Sequence, residues 1–293
     1  MKSAVVLMAY GSPERLSDVP AYYADIRGGR PIAPEHLSDL VERYRRLGIE
    51  DSSPLNAITE QTRAALETEL GFPVFTGMKH WTPRIADAAD SAVSTGAEQV
   101  VGLVLAPHYS ALSIAGYREQ LERALVGRAE LRFVDSWHEE PGFVELLADR
   151  VRGTDAHVVF TAHSLPARIL AAGDPYRDQL LETSRLVAEA AGLAEWSFSF
   201  QSESPTGEPW LGPDILDHLE SLHRQGVEHV LVCPVGFVSD HLEIRWDLDV
   251  EAQDKAAELG MELERIEMPN ADPALVRTLA AIVNRTLSVP SAA

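Results

Sequence analysis

Short apolar runs alternate with longer amphipathic stretches along the whole chain. Residues 4–8 are apolar and partly β-branched, the pattern of a buried strand. Apolar spacing at three and four residues then predicts helices over 18–27, 34–47 and 59–70, stopped by Gly28 with Gly29, by Gly48 and by Gly71. A strand is predicted at 73–76. Thr82 and Pro83 read as an N-cap followed by proline at the first helical position, opening a helix that Gly96 ends. Strands at 99–105 and 131–134 follow, with helices over 114–126 and 142–151. The alternation then restarts. Strands are predicted at 156–161, 197–200, 228–233 and 261–266, and helices over 174–191, over 213–225 and beyond 236. Asp272 and Pro273 open a last helix, to about residue 287. Such alternation predicts α/β architecture: parallel sheets flanked by helices and joined by right-handed crossovers.

The chain also repeats itself. VVLMAYGSP at 5–13 aligns without a gap with VVFTAHSLP at 158–166, which sets Tyr10 opposite His163. VVGLVLAP at 100–107 resembles the run that ends at Pro234. The pattern predicts two similar lobes meeting near residues 140–155. Ligands of open parallel sheets sit beyond the carboxyl ends of the strands. A cleft lined by Tyr10 from one half, and by His163 and Glu243 from the other, follows.

Composition narrows the partners. The 293 residues carry a net charge of −20, which argues against nucleic acid and anionic membranes. No apolar run approaches the ~18 residues that cross a bilayer, and the start of the chain lacks the apolar core of a signal peptide. A cytoplasmic protein without a membrane anchor is expected, and a monomer is the default. One cysteine, Cys233, excludes an intrachain disulfide, a redox pair and a four-cysteine cluster within one chain. Against the acidic background, Arg27, Arg30, Arg43, Arg45 and Arg46 fall within twenty residues. Their planar forks suit carboxylates or phosphates, although such a cluster can also be plain solvated surface.

The candidate chemistry is concentrated in 233–251, CPVGFVSDHLEIRWDLDVE. Glu243, Asp247 and Glu251 recur at i, i+4 and i+8 and form one line of carboxylates on a helix. By itself that line reads as a solvated face or a cation path. His163, directly after a strand, is either a hydrogen-bonded structural residue or, with a carboxylate, a partner for iron(II) or for proton transfer. Tyr10 is either buried with a satisfied hydroxyl or part of the cleft. No GxSxG elbow, GxxxxGK[ST] phosphate loop or HExxH motif is present.

MAYGSP (8–13), SPLNAITEQ (53–61), GMKHWTP (77–83), LAPHYS (105–110), TAHSLP (161–166), QSESPTGEPWLGPDI (201–215) and PVGFVSDHLEIRWDLDVE (234–251) together resemble the ferrochelatase family over nearly the whole chain. The soluble bacterial coproporphyrin III ferrochelatases are the most similar branch. The resemblance implies two Rossmann-like lobes, 1–140 with 272–293 and 141–271, with a macrocycle between them. It implies insertion of iron(II) into coproporphyrin III, giving coprohaem and two protons. Protoporphyrin IX or another tetrapyrrole is the alternative substrate, and a non-catalytic haem-binding protein a further one. The resemblance places the metal and catalytic pair on His163 and Glu243, and an outer acidic path on Asp247 and Glu251. It places macrocycle contacts on Tyr10, Arg27, Arg43, Tyr44, Ser53 and Tyr117. It implies iron(II) as substrate, no tightly bound cofactor, and a transient contact with a coprohaem decarboxylase. Some relatives hold a cysteine-ligated iron–sulfur cluster; with one cysteine, none is expected here.

Overall fold

A computed structural model describes residues 1–31, 33–48, 54–204 and 207–289. Eight strands form two four-stranded parallel sheets. The first holds β1 (Ser3–Ala9), β2 (Val74–Met78), β3 (Gln99–Val104) and β4 (Glu130–Val134) in the order β2-β1-β3-β4. The second holds β5 (His157–His163), β6 (Trp196–Gln201), β7 (His229–Cys233) and β8 (Glu262–Arg265) in the order β6-β5-β7-β8. The repeat seen in the sequence is therefore also a repeat of topology, and β1 and β5 occupy the same inner position of their sheets.

The helices in chain order are α1 (Val19–Ile26), α2 (Pro34–Arg46), α3 (Pro54–Leu70), α4 (Ile85–Ser94), α5 (Ile114–Leu125), α6 (Pro141–Val151), α7 (Arg168–Ala171), α8 (Tyr176–Ala191) and α9 (Ile215–Arg224). A π-helix, Ile244–Ala252, runs into α10 (Gln253–Leu259), and α11 (Pro273–Ser288) closes the fold. Alternation along buried strands sends successive side chains to opposite layers. Ala4, Val6 and Met8 of β1 pack with residues of α4 and α5. Val5 and Leu7 point the other way, into a core shared with Phe160, Leu231, Phe143 of α6, Leu180 of α8 and Leu279 of α11. That shared core joins both sheets. Val159, Val230 and Val232 face the outer layer formed by α9, the π-helix and α10. A fourth, small cluster sets Leu37, Leu40, Val41 and Tyr44 of α2, spaced as one helical stripe, against Val19 and against Leu242 of the second lobe.

A polar seam also links the lobes. Asp174 accepts hydrogen bonds from Ser110 Oγ (3.0 Å), from the Ala111 amide (2.8 Å) and from the Tyr176 amide (3.0 Å). Gln179 accepts from the Tyr109 amide at 2.7 Å. Buried His108 pairs with Thr183 Oγ1 at 2.8 Å, and burial holds its pKa well below the ordinary histidine value, so the ring is neutral.

Several sequence expectations shift. The third helix starts at Pro54, five residues before the predicted 59, because Pro suits the first turn. Pro83 does not open α4: Ile85 does, with Arg84 as the cap. The four-residue α7 has no periodic signature. The segment bearing the acid line is a π-helix, and Asp247 on it is only 6% exposed. The plain solvated-face reading of Asp247 is therefore wrong. As predicted, Asp272 caps the last helix, its carboxylate accepting from the Ala274 amide at 2.7 Å.

Candidate active site

His163 is the last residue of β5, where the strand delivers it to the carboxyl edge of the sheet. Its Nδ1–H donates to the Ser164 carbonyl, and the Tyr176 hydroxyl donates to the His163 carbonyl at 3.0 Å. With Nδ1 engaged, Nε2 faces Glu243 Oε1 at 3.6 Å. Glu243 stands at the N-terminal cap of the π-helix, and its other oxygen lies 3.4 Å from His241 Nε2. The loop from β7 reaches this position by passing against β5. The Gly236 amide donates to the Thr161 carbonyl at 3.1 Å, and a Cβ at Gly236 would sit 2.5 Å from Ala162 Cβ. Glycine is required by that approach.

The pair keeps some water: the side chains of His163 and Glu243 are 29% and 40% exposed. For His163, burial alone would depress the pKa, but the Glu243 carboxylate 3.6 Å away and the Ser164 carbonyl reverse this and push it up to about 9. Glu243 is held well below the carboxylate range, since His163 and His241 outweigh its desolvation. At neutral pH the resting pair is imidazolium and carboxylate.

Asp247 is next along the row. Gln201 Nε2 donates to it at 3.4 Å and Ser202 Oγ donates to the same oxygen. Desolvation, then the Glu243 charge, push its carboxyl up to about 6. Glu251 accepts from Trp246 Nε1 at 2.8 Å. An α-helix would turn residues five apart by ~140°; the i→i+5 bonding of a π-helix brings them together.

Tyr10 follows β1 and is 41% exposed. Its ring lies 4.6 Å from that of His80, which Asp25 holds at 2.9 Å; Asp25 in turn takes two bonds from Arg84. Desolvation, then the Glu243 carboxylate, raise its hydroxyl pKa. The remaining predicted contacts are disposed differently. Tyr44 is buried, with its hydroxyl 3.2 Å from Ser12 Oγ. Tyr117 is buried with Lys79 Nζ 4.8 Å over its ring. Arg27 stacks on Tyr23, and its buried Nε has no hydrogen-bond partner among the described residues. Arg43 pairs with Asp39 at 2.9 Å and lies over Trp246. Ser53 lies outside the described residues. Sequence reasoning missed Tyr176, Gln201, Ser202, His241, His80 and Trp246. The in-register pairing of His163 with Gln201 across β5 and β6 is the signal that could have found Gln201.

The same architecture occurs in chelatases. SirB from Bacillus subtilis, solved with Fe3+, superposes with a TM-score of 0.64 at 12% identity, covering 98% of this chain and 96% of that one. CbiX, the terminal enzyme of sirohaem biosynthesis in denitrifying bacteria, gives 0.54 at 12% identity, covering 98% and 100%. The fold is thus that of a two-lobed chelatase. Sequence carries the assignment further: residues 2–287 match the Ferrochelatase family. A ferrochelatase of Herpetosiphon aurantiacus is 45% identical over 96% of this chain and 98% of its own. Coproporphyrin III ferrochelatase 2 of Bacillus cereus is 40% identical over 97% and 94%. The chain belongs to the ferrochelatase family, lyases that insert a metal ion into a porphyrin.

Proposed function

We propose that this chain inserts iron(II) into coproporphyrin III, with residues 1–140 and 272–293 forming one wall of the macrocycle site and residues 141–271 the other. The observation that carries the reading is His163 Nε2 facing the Glu243 carboxylate at 3.6 Å at the end of β5. Arg27, Arg43 and Arg46 lie on or beside α1 and α2, and a macrocycle with four propionates matches such a cationic rim better than one with two. Relatives in Bacillus cereus and Halalkalibacterium halodurans that bear the coproporphyrin III name, at 40% and 39% identity, support the same choice.

The roles follow from the geometry. Binding energy at the peripheral carboxylates offsets distortion of a planar ring. Iron(II) arriving along Glu251, Asp247 and Glu243 replaces protons on the row, because a dication lowers the pKa of any acid it touches. His163, relieved of its proton, then takes the two pyrrole protons in turn as the metal enters the ring, and Glu243 passes each on to solvent. Tyr10 approaches the metal from the other lobe. Arg27, Arg43, Tyr44, Ser53 and Tyr117 are the proposed macrocycle contacts. Iron is substrate, and no resident cofactor is assigned. A monomer handing coprohaem to a decarboxylase in the cytoplasm completes the reading, and iron(II) with the buried free thiol of Cys233 suits that reducing compartment.

The test is anaerobic mixing of the protein with iron(II) and either coproporphyrin III or protoporphyrin IX, followed by absorption. Faster metallation of coproporphyrin III is expected. Preference for protoporphyrin IX would overturn the substrate choice, and binding without metallation of either would favour the haem-binding alternative.

A further inference from the structure

Trp246 has no place in the chemistry above, yet it is only 7% exposed, where α2 meets the π-helix. The guanidinium of Arg43 lies 5.1 Å from its ring centroid and that of Arg46 lies 5.0 Å away. Both arginines come from α2, on the first lobe; Trp246 belongs to the π-helix, on the second. Among the described residues Arg46 has no carboxylate partner, and its guanidinium lies on the indole face. The same side chain donates Nε1–H to Glu251, the outermost acid of the row. Leu242, immediately before Glu243, packs into the apolar stripe of α2 and fixes the contact beside it.

We infer that Trp246 is a positioning residue for both halves of the site: its ring face holds the α2 arginines toward the peripheral carboxylates of the macrocycle, and its N–H holds Glu251 in the acid row that receives the metal. The inference rests on the porphyrin-metallation reading. Its physical content is that one indole has two separable functions. The ring face holds two cations that are also suited to substrate carboxylates, so a bound carboxylate and the indole share the same guanidinium groups. The N–H holds Glu251 in the row beside Asp247.

Steady-state kinetics of wild type, Trp246→Phe, Trp246→Leu and Arg46→Met separate the two functions, with the thermal midpoint of each variant measured alongside. Phe keeps a ring and removes the donor. The KM for iron(II) is expected to rise about tenfold, the worth of a hydrogen bond to a charged group, while the KM for coproporphyrin III stays close to wild type. Leu removes both functions, and both KM values are expected to rise. Arg46→Met alters an exposed side chain, so folding is spared, and is expected to raise the macrocycle KM several-fold with the iron KM little changed. Equal movement of both KM values in Trp246→Phe, or an unchanged macrocycle KM in Arg46→Met, would overturn the assignment of these two roles to Trp246. A wild type that binds the porphyrin without metallating it would instead refute the activity. Porphyrin affinity by fluorescence would then test the arginine half of the inference directly, with unchanged affinity in Arg46→Met counting against it.

Discussion

A carboxyl group buried beside two other acids works against folding whenever it is ionised. Asp247 is such a group, with its pKa raised to about 6 from an ordinary 3.8. Below the ordinary value it is protonated in both folded and unfolded chains and contributes nothing. Above about pH 6 it is ionised in both, and the folded state carries a penalty of up to about 3 kcal/mol. Asp247→Asn keeps an acceptor for Ser202 and Gln201 and removes the charge. Its thermal midpoint should exceed that of wild type at pH 8 and match it near pH 4; no gain at pH 8 would show that the neighbouring bonds compensate the charge in full. His163 has the opposite sign. A histidine raised from 6.5 to about 9 stabilises the fold below 6.5, and that stabilisation is lost as pH rises through 9. The stability gap between wild type and His163→Gln should therefore narrow between pH 7 and pH 10. A constant gap would remove the ion pair from the explanation.

At the level of elements, the loop from β7 to the π-helix depends on one missing methyl group. A Cβ at residue 236 would meet the Ala162 Cβ at 2.5 Å and its Cα at 2.9 Å, both parts of a buried strand. Gly236→Ala should cost about 1–3 kcal/mol through overpacking and, by displacing Glu243 from His163, slow insertion more than it weakens macrocycle binding. Unfolding curves and single-turnover rates check both; a variant of wild-type stability and rate would refute the close approach. The strands were legible because both faces are buried, so β1 and β5 read as unbroken apolar runs. The π-helix was not, because acids at i, i+4 and i+8 satisfy an α-helix equally well. Pro83 misled because a Thr-Pro pair before an apolar run has the chemistry of a helix start whether or not the helix begins there. The burial of Asp247 was hidden for a further reason: the residues that cover it, Gln201 and Ser202, come from the end of β6, more than forty positions earlier.

At the scale of the molecule, the internal repeat made the two-lobe plan readable, and it placed Tyr10 and His163 correctly at equivalent strand ends. It gave no sign of what holds the lobes in register. That task falls to the shared apolar core and to the seam at Asp174, which accepts two hydrogen bonds from Ser110 and Ala111 of the first lobe and one from Tyr176 of its own. Asp174→Ala strands those donors and should cost about 1–3 kcal/mol, with kcat falling more than either KM because the facing residues lose alignment. Thermal unfolding and steady-state rates decide this, and an unchanged kcat in a destabilised variant would confine the seam to stability. The arginines of α2 belong to the same scale: in a chain of net charge −20 they form a local cationic cluster, which the proposed function assigns to an anionic substrate.

The account turns on His163 and Glu243 acting together on metal and proton. Its most direct test is anaerobic single-turnover metallation of coproporphyrin III by wild type, His163→Ala and Glu243→Ala, with porphyrin binding measured separately in the absence of iron. Both variants should bind the macrocycle with near wild-type affinity and lose metallation by at least about a hundredfold, the scale of a lost general base. Metallation by His163→Ala at near wild-type rate would contradict the account.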